Sequence, residues 1–144
     1  MYVINNDSSY SFDLSELSNA VMIESVKLLA SKNVTGNIYL LLDVTGPSKF
    51  FPNEQNVNRM TYCGGGQESN FVWLKLDRHW KIIDKQSILY DSCYKNVDVA
   101  DESQWSTNAK SGKWQIELST INGNVRVYYD TQLPEKGLVA KEEQ

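Results

Sequence analysis

Apolar and polar residues alternate along most of this chain, which is the period of a half-buried β-strand rather than of a helix. "SVKLLA" leads into "NVTGNIYLLLDV", where Ile38, Leu40 and Leu42 share one face and Tyr39, Leu41 and Asp43 the other. Val34-Thr35-Gly36-Asn37 between the two runs predicts a turn, which makes residues 21–44 a hairpin. "TGPSKFFPNEQN" then breaks the pattern with two prolines, a glycine and amide side chains, and reads as a loop. Alternation resumes in "FVWLKLDRHWKIIDKQSILYDSC": Phe71, Trp73 and Lys75 against Val72, Leu74 and Leu76. Asp77 to Trp80 predicts a tight turn, and a second strand follows through Ile82, Ile83, Ile88, Leu89 and Tyr90. No Asn-Gly pair fixes the register of that turn.

An acid-rich stretch, "KNVDVADESQWSTNAKSG", reads as a loop. Beyond it, Trp114, Ile116 and Leu118 alternate with Gln115, Glu117 and Ser119. Asn122-Gly123 is the strongest hairpin signal in the sequence, returning Val125, Val127 and Tyr129 on one face. "LPEKGLVAKEEQ" reads as a polar exit, frayed over about residues 134–144, as the start is over about 1–9. A short helix competes near residues 13–30, where Leu14, Leu17, Val21 and Leu28 would form its stripe. The fold expected is all-β: an antiparallel sandwich or flattened barrel of six to eight strands, with residues 1–144 as a single domain.

A chain of 144 residues, 41% hydrophobic and 22% charged, is long enough to bury a core and ordinary enough in composition to be globular. Its 14 basic residues against 18 acidic ones give a net charge of -4. A nucleic-acid partner would demand a basic stripe and is excluded; a cationic protein partner is compatible. The longest apolar run, "YLLLDV", stops at Asp43, so no segment inserts into a bilayer.

"YCGGGQESN", residues 62–70, sets one of the two cysteines against three glycines. A phosphate-binding loop would place Lys and Ser or Thr after the last glycine and then a helix; here Gln67 and Glu68 precede a predicted strand. Metal binding wants more ligands than His79 can add, so no metal or cofactor is expected. A reactive thiol wants a base or a helix N-terminus. The predicted strands place Cys63 and Cys93 at one end of a sheet, and a disulfide between them is the favoured reading over two buried free thiols. Closing about 30 residues would contribute roughly 3 to 4 kcal/mol in the chain-entropy model. Such a bond implies the periplasm or the cell exterior. No secretory signal is visible, and the polar start "MYVINNDSSYS" reads as the trimmed end of a mature exported chain.

No catalytic set assembles. His79 lies in a predicted turn, and neither Ser69 nor Ser87 sits in a nucleophile motif. Asp98, Asp101 and Glu102 cluster in one loop without the spacing of a calcium site, and an enzyme is not expected. Trp105, without apolar neighbours, is either folded onto the core or offered to a partner.

"KSGKW", residues 110–114, resembles the Ser-Gly-x-x-aromatic loop of bacterial periplasmic lysozyme inhibitors. Ser111, Gly112 and Trp114 match, with Trp where those proteins carry Tyr and one position early. That family plugs the catalytic cleft of its target, so the resemblance implies a binding role for this loop. C-G-x-G-x-E at residues 63–68, followed by S-C at 92–93, is similar to a pattern in small exported bacterial proteins of unassigned role. The expected function is that of a periplasmic or secreted inhibitor or immunity protein. It would insert Trp105, Asp98, Asp101, Glu102 and Ser111 to Trp114 into a basic toxin or cell-wall hydrolase. The alternatives are a carbohydrate-binding module stacking a sugar on Trp73, Trp105 or Trp114, and a hydrolase using Asp98 or Asp101.

Overall fold

The computed structural model describes residues 2–5, 8–48, 66–93, 95–100, 106–108 and 112–142. They form an all-β protein of eleven strands. Strands β3 (Ser25–Val34), β4 (Asn37–Pro47), β5 (Gln67–Leu76) and β6 (Ile82–Ser92) make an antiparallel meander in sequence order. A second antiparallel sheet runs β11 (Val139–Glu142), β10 (Gly123–Asp130), β9 (Lys113–Thr120) and β7 (Asp98–Val99). The short strand β8 (Ser106–Asn108) pairs with β9 as well. A small hairpin, β1 (Tyr2–Asn5) with β2 (Ser8–Ser11), precedes both.

The alternation seen in the sequence is used on both faces of β4 and β5. Tyr39, Leu41, Phe71 and Trp73 point at Ile116, Leu118, Val127 and Tyr129 of the second sheet, forming the sandwich core. Leu40, Leu42, Val44, Val72, Leu74 and Leu76 point the other way and build a second core under Phe12 and Leu14. These two strands are buried on both sides, which is why they read as near-continuous apolar runs. Each fully buried leucine or phenylalanine contributes roughly 1.5 to 3 kcal/mol.

The cover over that second core is a strap, residues 12–24, and it is not the helix that the leucine spacing offered. A single 3-10 turn, Ser15–Leu17, is held by the Ser15 N–H donating to Asp13 Oδ1 at 2.9 Å. Leu14 is buried, but Val21 and Leu28 are 59% and 56% exposed, so the presumed helical stripe does not face one core. Asn70, buried in β5, pins the strap instead: its Nδ2 donates to Asn19 Oδ1 at 2.9 Å and its Oδ1 accepts from the Asn19 N–H at 3.0 Å. Gly46 permits the close approach, since a Cβ there would collide with the Met22 carbonyl and Ala20.

The turns form where the sequence places them. Thr35 and Gly36 take φ of 50° and 90°, joining β3 to β4. Asp77 closes the β5–β6 turn, its carboxylate accepting from the His79 and Lys81 N–H groups at 2.8 and 3.0 Å. The β9–β10 hairpin reverses one residue earlier than the Asn-Gly signal suggests: Thr120 pairs with Gly123 across Ile121 and Asn122, and Gly123 carries the positive φ.

Three further expectations are corrected. The described residues of the start are not frayed, because Tyr2–Asn5 and Ser8–Ser11 pair as the β1–β2 hairpin. The acid-rich stretch is not wholly loop, because β7 and β8 both dock on one edge of β9. The C-terminal exit is built into the fold through residue 142. Pro134 opens a 3-10 turn, Leu138 enters the sandwich core, and β11 pairs with β10. The buried Trp73 indole donates to the Pro134 carbonyl at 2.9 Å, and Gln86 Oε1 accepts from the Leu138 N–H at 2.7 Å. Two core-directed hydrogen bonds and one apolar anchor outweigh the polar composition of this segment.

Candidate functional site

Where β6 leaves the four-stranded sheet, the chain crosses to the second sheet through a tight turn. Ser92 and Val97 exchange backbone hydrogen bonds of 2.8 and 3.1 Å, and Ser92 Oγ accepts from the Lys95 N–H at 2.8 Å. Asn96 takes the left-handed φ of 54° that the reversal requires. Cys93 projects, exposed, from the start of this turn.

A cleft of about 490 Å³ opens beside it, between this turn and the tip of the β9–β10 hairpin. Asp91 and Asp98 line it, with Asn96, Ser119, Thr120 and Ile121. Ile121, at the hairpin tip, is 78% exposed. Asp98 stands opposite Ser119 in β7. Asp91 arrives through a β-bulge: Asn70 pairs with Leu89 and Ser69 with Asp91, leaving Tyr90 as the extra residue. Leu89 and Asp91 would otherwise share a face; the bulge separates them and sets Asp91 on the inter-sheet side with Ser69. Tyr90 is turned inward, stacked on Phe71 with ring centroids 3.9 Å apart and donating to Asp43 Oδ1 at 2.7 Å. Burial, then Asp43, push its hydroxyl far above the usual tyrosine range.

The electrostatics of the cleft are strained by like charge. The Asp91 carboxyl is raised above the ordinary carboxylate range, first by partial burial, then by Asp98 and by Glu68. Glu68 is itself buried in β5, opposite Ser92. Among the described residues no group of His, Cys, Asp and Glu side chains is arranged to hold a metal ion. The described residues lining the cleft carry two carboxylates and no basic side chain, which suits a cationic group.

No protein-family model matches this chain, and no curated protein or solved structure does either.

The residues singled out in the sequence are divided by the fold. Asp98 lines the cleft. Gly112 and Trp114 lie at the far end of β9: Asp98 pairs with Ser119 and Thr107 with Trp114, a separation of about 17 Å at strand rise. Gly112, at φ 68°, serves a turn, its carbonyl accepting from the Thr131 N–H and hydroxyl at 2.9 Å each. The Trp114 ring is half-buried, packed against the sandwich core and edge-on to Tyr129 at 6.5 Å. Cys63, Asp101, Glu102, Trp105 and Ser111 lie outside the described residues. No cysteine among the described residues is free.

Other candidates for chemistry are occupied. Ser69 Oγ is hydrogen-bonded to Thr45 Oγ1 at 2.9 Å, and Ser87 Oγ donates to the Leu17 carbonyl at 2.5 Å. His79 Nε2 accepts from Arg78 in an exposed turn, and the nearby Asp77 carboxylate is engaged with backbone. Trp73 is 3% exposed and offers no face to a sugar. Trp80 stacks on Tyr10 at 5.1 Å and belongs to the outer core. Asp91 is the cleft residue the sequence reading missed. Its signal was a carboxylate two residues before Cys93 at the end of an aliphatic strand.

Proposed function

We propose that this protein is an exported inhibitor or immunity protein that occludes a basic toxin or cell-wall hydrolase, with the Asp91–Asp98 cleft as its contact. The observation that carries this reading is the pair of carboxylates held in one open cleft beside the buried Glu68. Like charges in such proximity oppose folding, and a lysine or arginine from a partner would relieve them. The exposed Ile121 at the rim supplies an apolar contact next to the charged one. A net charge of -4 favours rapid encounter with a cationic protein.

Export rests on the cysteines. The chain has two cysteines, Cys63 and Cys93, and the export reading requires that they be joined. A Cys63–Cys93 disulfide would tie the segment before β5 to the turn beside the cleft and would persist in an oxidising compartment. Thiol titration of the unreduced, denatured protein is expected to find no free thiol; two would remove the case for export. The binding role is tested by co-purification from the producing cell or a competitor. The expected result is one stoichiometric protein partner of basic charge, and recovery of none would refute it.

A second reading has one observation in its favour: a carboxyl raised by burial beside another carboxylate is the arrangement of a general acid with its partner. A carboxylate hydrolase would show turnover of a glycan or ester abolished by Asp98→Asn. An inhibitor would show no turnover to lose.

A further inference from the structure

A second groove, of about 360 Å³, lies at the other end of the five-stranded sheet. Its walls include Trp114, Tyr128 and Val139, and its lysines are Lys113, Lys136 and Lys141, against one carboxylate, Asp130. In a chain with an acidic balance this is a local reversal of sign. The groove is held open by backbone rather than by chance side-chain positions. Val139 pairs with Tyr128 across β10 and β11, and the turn before it is fixed by the Trp73–Pro134 and Gln86–Leu138 hydrogen bonds. Tyr128 is 37% exposed, with Lys141 Nζ 5.7 Å from its ring centroid.

We infer that this groove binds a small anionic sugar, a mono- or disaccharide bearing a carboxylate. Three features select that chemistry. The volume is near the lower end of the range for small-molecule sites, which suits one or two rings rather than a folded partner. The part-exposed Tyr128 ring, beside Val139 in the groove and with Lys141 Nζ over it, offers apolar surface to the C–H groups of a pyranose while the sugar's hydroxyls stay in water. Lys136 and Lys141 at the rim would hold the carboxylate through charge-assisted hydrogen bonds. A nucleic acid would demand a basic stripe that a chain of net charge -4 does not have. The site is separate from the acidic cleft and does not depend on the inhibitor reading.

The experiment is isothermal titration calorimetry of the full chain with digalacturonic acid, with the neutral digalactose and benzoate as comparison probes. Saturable binding of digalacturonic acid, with both comparison probes at least about tenfold weaker, is the expected result. The double variant Lys136→Gln/Lys141→Gln and the single variant Tyr128→Ala should each weaken it by about tenfold or more. All three positions are exposed, so far-UV circular dichroism should match wild type. Digalactose binding as tightly would overturn the role of charge, and benzoate binding as tightly would overturn the sugar. No binding of digalacturonic acid, or full binding by either variant, would overturn the site. An Asp91→Asn/Asp98→Asn variant should bind the probe unchanged, which separates this outcome from the fate of the inhibitor proposal.

Discussion

At one end of β9, Thr131 closes on Gly112, Trp73 reaches the Pro134 carbonyl, and Gln86 holds Leu138; each contact adds to the stability of the fold. At the other end, Asp91 shares a cleft with Asp98, and its carboxyl is raised first by burial and then by the like charges of Asp98 and Glu68. The difference separates residues that the structure needs from residues that it tolerates. Charge kept against the interest of stability is the usual mark of a site maintained for something other than folding.

Substitutions at the two ends should therefore differ in sign. The largest effect is expected from Trp73→Phe, which leaves the buried Pro134 carbonyl without its donor and a void beside it. Urea denaturation should show a loss of about 2 to 3 kcal/mol. Gly112→Ala comes next: the position has φ 68°, and a Cβ would meet Thr131 Oγ1. A loss of about 1 to 2 kcal/mol is expected from the same measurement. At the acidic end, Asp98→Asn should raise stability at neutral pH, by no more than about 0.5 kcal/mol for so exposed a charge.

The pH dependence sharpens the contrast. Folding raises the Asp91 carboxyl above its ordinary value of 3.8, so the folded state holds this proton more tightly than the unfolded chain. Its stabilising contribution is full below that value and is lost as pH rises through the folded one. Thermal denaturation of wild type and Asp91→Asn should diverge over that interval, the variant gaining on wild type as pH rises. A constant difference across the interval would mean that Asp91 is not under electrostatic strain. Tyr129, at the opposite end, is pushed up to about 12, first by burial and then by Asp130 and Glu135. It gives the same sign in the alkaline range, with stability lost as pH climbs from 10 through that value.

How far the sequence foretold this arrangement depends on the length of the pattern each element carries. β4 and β5 were legible because each holds a near-continuous apolar run bounded by polar residues, Ile38–Leu42 and Phe71–Leu74, and the turns at 34–37 and 77–80 carry their own chemistry. β7 and β8 have two and three residues, too few for any period to register. β11 is exposed along its whole length, so nothing in "VAKE" distinguishes it from a frayed tail; its anchor is Leu138, just outside it. The strap was misread because Leu14 and Leu17 have helical spacing while a single 3-10 turn suffices to bury Leu14. The acidic cleft was half legible. Asp98 stood out as part of an acid run, but Asp91 reaches it through a bulge at Tyr90 that no residue type announces. The Ser-Gly-x-aromatic stretch was legible as a motif, yet Gly112 serves a turn and Trp114 packs largely inward.

The most direct test of the proposed role is capture of a protein partner by wild type and by Asp91→Asn/Asp98→Asn, each immobilised and exposed to extract from the producing cell or a competitor. The double variant should be at least as stable as wild type and should retain at most about a tenth of the partner, as expected when close charge pairs are lost from an interface. Equal capture by the two proteins would contradict the account, because the acidic cleft would then play no part in binding.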